Sequence, residues 1–200
     1  MPSPIEFWFD FSSPYGYVAS QLIGDVAARH GRAVNWHPVL LGPIFKAVGT
    51  APLTMLPIKG AYSRHDFARM ARYHKVPFRL PENFPVGTQV AARAFYLIAD
   101  GDAGKARDFA GRIFRAYYAE GRDVADPAVV MELAAAAGAD VAALAGALKG
   151  DAIKERLKAE VENAMKAGVF GSPHFIVDGE PFWGVDRIPL MEEWMRTGGW

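Results

Sequence analysis

The stretch Phe7-Trp8-Phe9-Asp10-Phe11-Ser12-Ser13-Pro14-Tyr15-Gly16-Tyr17 limits the possible folds more than any other part of the chain. From Ile5 to Phe11 the residues are apolar and mostly aromatic, interrupted only by Glu6 and Asp10. A run this short and this apolar suits a central β-strand. Ser13 is a good N-cap, and Pro14 fits the first helical position, where a missing N–H costs nothing. The stretch therefore predicts a buried strand that turns abruptly into a helix. A hydroxyl at that turn stands beside unpaired backbone N–H groups at the positive end of a helix dipole, a setting that favours anions. On these residues alone the motif is equally a plain helix cap.

The helix predicted from Pro14 to about His30 carries Tyr17, Val18, Leu22, Ile23 and Val26 at helical spacing, and Gly31 is placed to stop it. Val34 to Leu41 reads as a second strand, so strand, helix and strand follow in order, which favours parallel pairing through a crossover. Leu41 to Gly60, with Pro43, Gly49, Pro52 and Pro57, reads as loop with a short helix near Ile44 to Val48. A helix from Tyr62 to Tyr73 comes next, then an extended Pro77 to Pro85. Five further helices are predicted over 88–99, 104–120, 127–137, 141–148 and 151–167. Strand character returns with His174 to Asp178 and Pro181 to Trp183, joined by a turn at Gly179-Glu180. Asp186 is read as the cap of a last helix over 187–196. The pattern is an α/β domain with a mixed four-stranded sheet and a large all-helical insertion. Residues 1–60 and 168–200 form the discontinuous sheet domain, and 61–167 the inserted helical domain.

The chain has no cysteine, so disulfides, thiolate metal sites and protein-thiol chemistry are excluded, and any sulfur nucleophile has to arrive as a small molecule. Acidic and basic residues balance at 22 each, leaving no global field for nucleic acid or an anionic membrane. The N-terminus shows no basic segment followed by an apolar one, and no apolar run approaches the roughly 18–20 residues that span a bilayer. A cytoplasmic protein is expected. The five histidines, His30, His37, His65, His74 and His174, have no metal-binding spacing.

Four segments carry a family resemblance. Phe9 to Tyr17 resembles the start of DsbA-type oxidases, where a strand runs into Cys-Pro-x-Cys; here Ser13 and Gly16 replace the two sulfur positions, which excludes redox exchange by the protein. Leu56-Pro57-Ile58-Lys59-Gly60-Ala61-Tyr62, Gly168-Val169-Phe170-Gly171-Ser172-Pro173 and Trp183-Gly184-Val185-Asp186-Arg187 are similar to blocks of the 2-hydroxychromene-2-carboxylate isomerases and the related kappa-class glutathione transferases. The likeness runs from residue 5 to about 195, and the Trp-Gly-x-Asp-Arg ending favours the isomerase branch.

The resemblance implies a thioredoxin-like (DsbA/kappa type) fold, glutathione as cofactor, a small aromatic substrate and a homodimer. It places Ser13 against the sulfur of glutathione as catalytic hydrogen-bond donor, Ser172 and a cis Pro173 beside the cysteinyl unit, Asp186 and Arg187 at the γ-glutamyl end, and Lys59 at the glycyl carboxylate. Trp183 is expected to pack beneath the site and His174 to be structural. Tyr62, Phe84 and Phe95 are candidates for the substrate wall. The implied reaction interconverts a cyclic hemiketal and an open benzylidenepyruvate in aromatic degradation. A kappa-like transferase or peroxidase that consumes glutathione and a non-catalytic binding protein of the same fold remain open.

Overall fold

The computed structural model describes residues 2–200. Strand β1 (Ile5–Phe9) leads through the turn at residues 10–13 into helix α1 (Pro14–Arg29), and β2 (Val34–Pro38) returns beside β1 in parallel. Helices α2 (Leu41–Val48), α3 (Lys59–Tyr73), α4 (Gln89–Gly101), α5 (Ala103–Tyr118), α6 (Pro127–Ala136), α7 (Val141–Ala147) and α8 (Asp151–Lys166) then follow, with a short 3-10 turn at Leu53–Met55. β3 (His174–Val177) and β4 (Glu180–Trp183) form a hairpin, and α9 (Ile188–Thr197) closes the chain. The sheet order is β2-β1-β3-β4, with β3 antiparallel to both neighbours. This is the mixed four-stranded sheet with helical insertion expected from the sequence. None of the described helices is long and apolar enough to cross a membrane.

β1 is central: Ile5, Phe7 and Phe9 are fully buried on one face and Trp8 is buried on the other. Phe7 and Phe9 point toward the helices. Phe7 stacks on Phe175 of β3 at 5.3 Å between ring centroids, and Phe9 meets Phe114 of α5 at 5.4 Å. Fully burying each such side chain is worth about 1.5–3 kcal/mol. These residues, with Tyr17, Phe95, Phe109 and Tyr118, belong to one core shared by the sheet and the helical insertion. Trp8 faces the other way, into a smaller cluster with Val39, Ile44, Val161, Ala164 and Val169. On that face His37, Trp8, His174 and Trp183 stand in one cross-strand row, since each is the register partner of the next.

Three local expectations are corrected. The second strand ends at Pro38, and Leu41 already starts α2, because the Asp10 side chain accepts a hydrogen bond from the Leu41 N–H at 2.8 Å. The β3–β4 turn lies at Asp178-Gly179, whose φ values of 53° and 86° are both left-handed, leaving Glu180 in the strand opposite Val177. Asp186 does not cap the last helix. It sits inside a 3-10 turn, Val185–Arg187, its carboxylate accepting from Arg187 Nη1 at 3.0 Å, and α9 begins at Ile188.

Candidate active site

The strand-to-helix turn delivers Ser13 as predicted. Its backbone is extended (φ −101°, ψ 113°), and its Oγ accepts from the Gly16 N–H at 3.0 Å, capping α1. The same hydroxyl donates to the Ser172 carbonyl at 3.1 Å. Ser172 Oγ in turn accepts from the Asp10 N–H at 3.2 Å, so two serines lock the turn to the segment before β3. The Ser172–Pro173 peptide bond is cis. Gly16 is required by this contact: a Cβ there would fall 2.8 Å from Ser172 Oγ and 3.1 Å from Ser13 Cβ.

Asp10, which in the sequence only interrupts an apolar strand, organises the floor of the site. Its buried carboxylate accepts from the Ser12 N–H (2.8 Å), the Leu41 N–H (2.8 Å) and the Thr88 hydroxyl (2.7 Å). One side chain thereby joins the end of β1 to the starts of α2 and α4. Burial raises its pKa above the ordinary carboxylate range, against the pull of the three donors.

Above this floor opens a cleft of about 1040 Å³. The α1 start lines it with Ser12, Ser13 and Tyr15, α2 with Phe45 and Lys46, and α3 with Tyr62, Asp66 and Met70. Phe84 closes one side, and Phe170 to Ser172 with Trp183, Asp186 and Arg187 close the other. Ser13, Ser172, Asp186 and Arg187 are thus brought together, with Pro173 directly behind Ser172. Tyr62 and Phe84 stand on the wall as predicted, whereas Phe95 lies in the core. Lys59 is exposed at the first position of α3, outside the lining; the lysine on the wall is Lys46. Trp183, expected beneath the site, is 51% exposed and forms part of the wall, its indole seated against Gly171.

His174 is buried behind this wall, edge-on to Phe170 at 5.5 Å, and neither ring nitrogen has a hydrogen-bond partner among the described residues. Burial pushes its pKa down, so the neutral ring is favoured. Sequence reasoning also missed a second polar group on the wall: the Tyr15 hydroxyl donates to Asp66 Oδ2 at 2.6 Å, and Arg69 donates to Asp66 Oδ1 at 2.8 Å. The helical spacing of Tyr62, Asp66 and Arg69 was the available signal, but nothing local ties it to Tyr15. Chemically, the arrangement offers an anion a helix N-terminus and a hydroxyl donor, with the Lys46 and Arg187 cations lining the same cleft. Among the described residues no group of three acidic or histidine side chains stands together as a metal site would need.

Several known proteins resemble this chain along nearly its whole length. A 2-hydroxychromene-2-carboxylate isomerase of Pseudomonas putida is 28% identical over 96% of this chain and 93% of its own length. Human glutathione S-transferase kappa 1 is 25% identical over 98% and 94%. A solved 2-hydroxychromene-2-carboxylate isomerase structure superposes with a TM-score of 0.86 at 26% identity, covering 96% of this chain and 94% of that one. The cytosolic disulfide reductase DsbM of Pseudomonas aeruginosa, solved with glutathione, shares the fold at a TM-score of 0.66 and 20% identity, over 97% and 96% of the two chains. The DsbA-like thioredoxin domain family matches residues 4–196, nearly the whole chain, and the protein belongs to that family.

Proposed function

We propose that the protein is a glutathione-dependent isomerase that interconverts 2-hydroxychromene-2-carboxylate and trans-o-hydroxybenzylidenepyruvate. The observation that carries the reading is Ser13: a hydroxyl, in a chain without cysteine, occupies the helix start where redox relatives carry a thiol, and it opens onto the cleft. The relatives named as kappa glutathione transferases, and the DsbM structure with glutathione, support a glutathione site in such a fold, and the relatives named as isomerases support the reaction.

The residues present fit that cofactor. Asp186 and Arg187, an acid and a base side by side on the rim, suit the γ-glutamyl ammonium and carboxylate. Lys46 replaces Lys59 as the cation on the wall for the glycyl carboxylate. The backbone of Phe170 to Ser172 runs along the cleft, where the cysteinyl unit can lie against it. Ser13 has one proton, now directed at the Ser172 carbonyl. Turning that proton toward the cleft makes Ser13 a donor to a thiolate, and with the α1 dipole lowers the thiol from its ordinary value of about 8.5. The chemistry that bound glutathione supplies is a sulfur nucleophile for the conjugated carbon, which makes the rigid double bond rotatable and is released unchanged.

The test is to incubate the protein with glutathione and the chromene acid while following the ultraviolet spectrum and the free thiol. Conversion that requires glutathione without depleting it is expected. Depletion would assign the protein to the transferases instead, and absence of glutathione binding by calorimetry would leave a binding protein.

A further inference from the structure

A thiolate handles rotation about the double bond, but it does not open the chromene ring. Ring opening breaks the hemiketal O–H and the ring C–O bond, so a proton has to leave one substrate oxygen and arrive at another. The wall of the cleft carries a pair suited to that transfer. Tyr15 lies on the first turn of α1, two residues after Ser13, and its ring is held edge-on by Phe67 at 4.9 Å. Its hydroxyl donates to Asp66 Oδ2, while Arg69 occupies the other carboxylate oxygen and packs over the Tyr62 ring at 5.6 Å. A phenol has one proton. With that proton directed at Asp66, Tyr15 presents only oxygen lone pairs to a ligand in the cleft, so it recognises a hydroxyl donor. Burial and the neighbouring Asp66 both raise the tyrosine pKa, which keeps the phenol protonated and the pair intact.

Resting on the isomerase reading above, we propose that Tyr15 is a second catalytic residue, which takes the proton of the hemiketal hydroxyl as its own proton passes to Asp66. The hemiketal O–H electrons form the new carbonyl, and the ring C–O pair leaves on the phenol oxygen. The proton then returns from Asp66 through Tyr15 to that oxygen. One proton is relocated within the substrate, and no other reagent is consumed. Asp66 acts through Tyr15 and is a positioning residue and proton sink.

The experiment uses Tyr15→Phe and Asp66→Asn in the full chain with glutathione and two substrates. The first substrate is the hydroxy acid itself. The second is the o-methoxybenzylidenepyruvate analogue, whose double bond can isomerise but whose ring cannot close. Both variants are expected to lower kcat on the hydroxy acid about 100-fold, a modest general acid–base contribution. The KM for glutathione and the cis–trans rate on the methoxy analogue should stay at wild-type values. Ser13→Ala, by contrast, should slow both substrates. Equal slowing of both substrates by Tyr15→Phe, or no slowing of either, overturns the assignment. A wild-type protein that isomerises neither substrate removes the isomerase reading itself, which the Tyr15 result alone does not.

Discussion

Ser13→Ala removes one oxygen that serves two buried partners, and the structure sets the size of the effect. Loss of the N-cap bond to the Gly16 N–H costs about 1 kcal/mol. The Ser172 carbonyl, buried at the same point, loses its donor as well, and an unmet buried acceptor costs about 1–3 kcal/mol. Together the change should destabilise the protein by about 2–4 kcal/mol, more than a surface cap alone. That corresponds to roughly 4–16 °C in Tm at about 2–4 °C per kcal/mol for a chain of this size, still within a stability of about 5–15 kcal/mol. Urea unfolding should show a lower midpoint with an unchanged slope.

The functional readout is separate. A hydrogen bond to a charged group is worth about 1.5–3 kcal/mol, or roughly 1–2 pKa units at 1.36 kcal/mol each. Titrating the thiolate absorbance of bound glutathione should therefore show the thiol pKa rising by about 1–2 units in Ser13→Ala, while Ser13→Thr keeps it near the wild-type value. A bound thiol pKa unchanged in Ser13→Ala would leave the α1 dipole as the sole source of any activation and refute the hydroxyl's role. A midpoint shift near zero would refute the claim that one oxygen satisfies both buried partners.

Two further outcomes test the surroundings of that turn. Gly16→Ala places a Cβ 2.8 Å from Ser172 Oγ and should cost about 1–3 kcal/mol by overpacking; a Ser172→Ala background removes that tightest contact and leaves only the one to Ser13, so a double-mutant cycle in urea should show coupling of about 0.5–3 kcal/mol, and additive effects would contradict the contact. His174→Leu replaces a buried ring whose two nitrogens lack partners among the described residues, so above pH 7 it should be neutral or stabilising by about 1 kcal/mol. Because burial depresses the His174 pKa below 6.5, its neutral ring contributes stability that is present above that pH and lost as pH falls through the folded value. The acid limb of the stability profile should be shallower in His174→Leu, and an unaltered limb would mean that His174 titrates alike in both states.

What could be read without the structure depended on how local its cause was. The β1 strand, the Ser13-Pro14 helix start and the stop at Gly31 each follow from neighbouring residues, and all three stand where expected. The start of α2 depends on Asp10, 31 residues away, and no spacing rule connects a strand-end carboxylate to a distant N–H. The hairpin turn moved by one residue because Asp178 accepts a left-handed backbone, which composition favours for Asn and Asp but does not assign to a position.

The same distinction sorts the residues of the site. Ser13 and Ser172 are fixed by backbone: a helix start and the residue before a proline can be located in sequence, and the fold then brings them within 3.1 Å. The cations are fixed by which way a helix faces. Lys46 and Lys59 lie on either side of one Pro- and Gly-containing connection, and that connection hides its geometry from any periodicity argument. The outcome is that Lys46 reaches the wall while Lys59 faces solvent. Tyr15 and Asp66 show the limit of such reading most clearly. Tyr15 belongs to the most legible motif of the chain, and Asp66 to an exposed-looking helical face 51 residues later. Only the packing of α3 against α1 makes them a pair, so the Ser13 helix start is written in local sequence, whereas the cations on the cleft and the Tyr15–Asp66 pair emerge from tertiary contact.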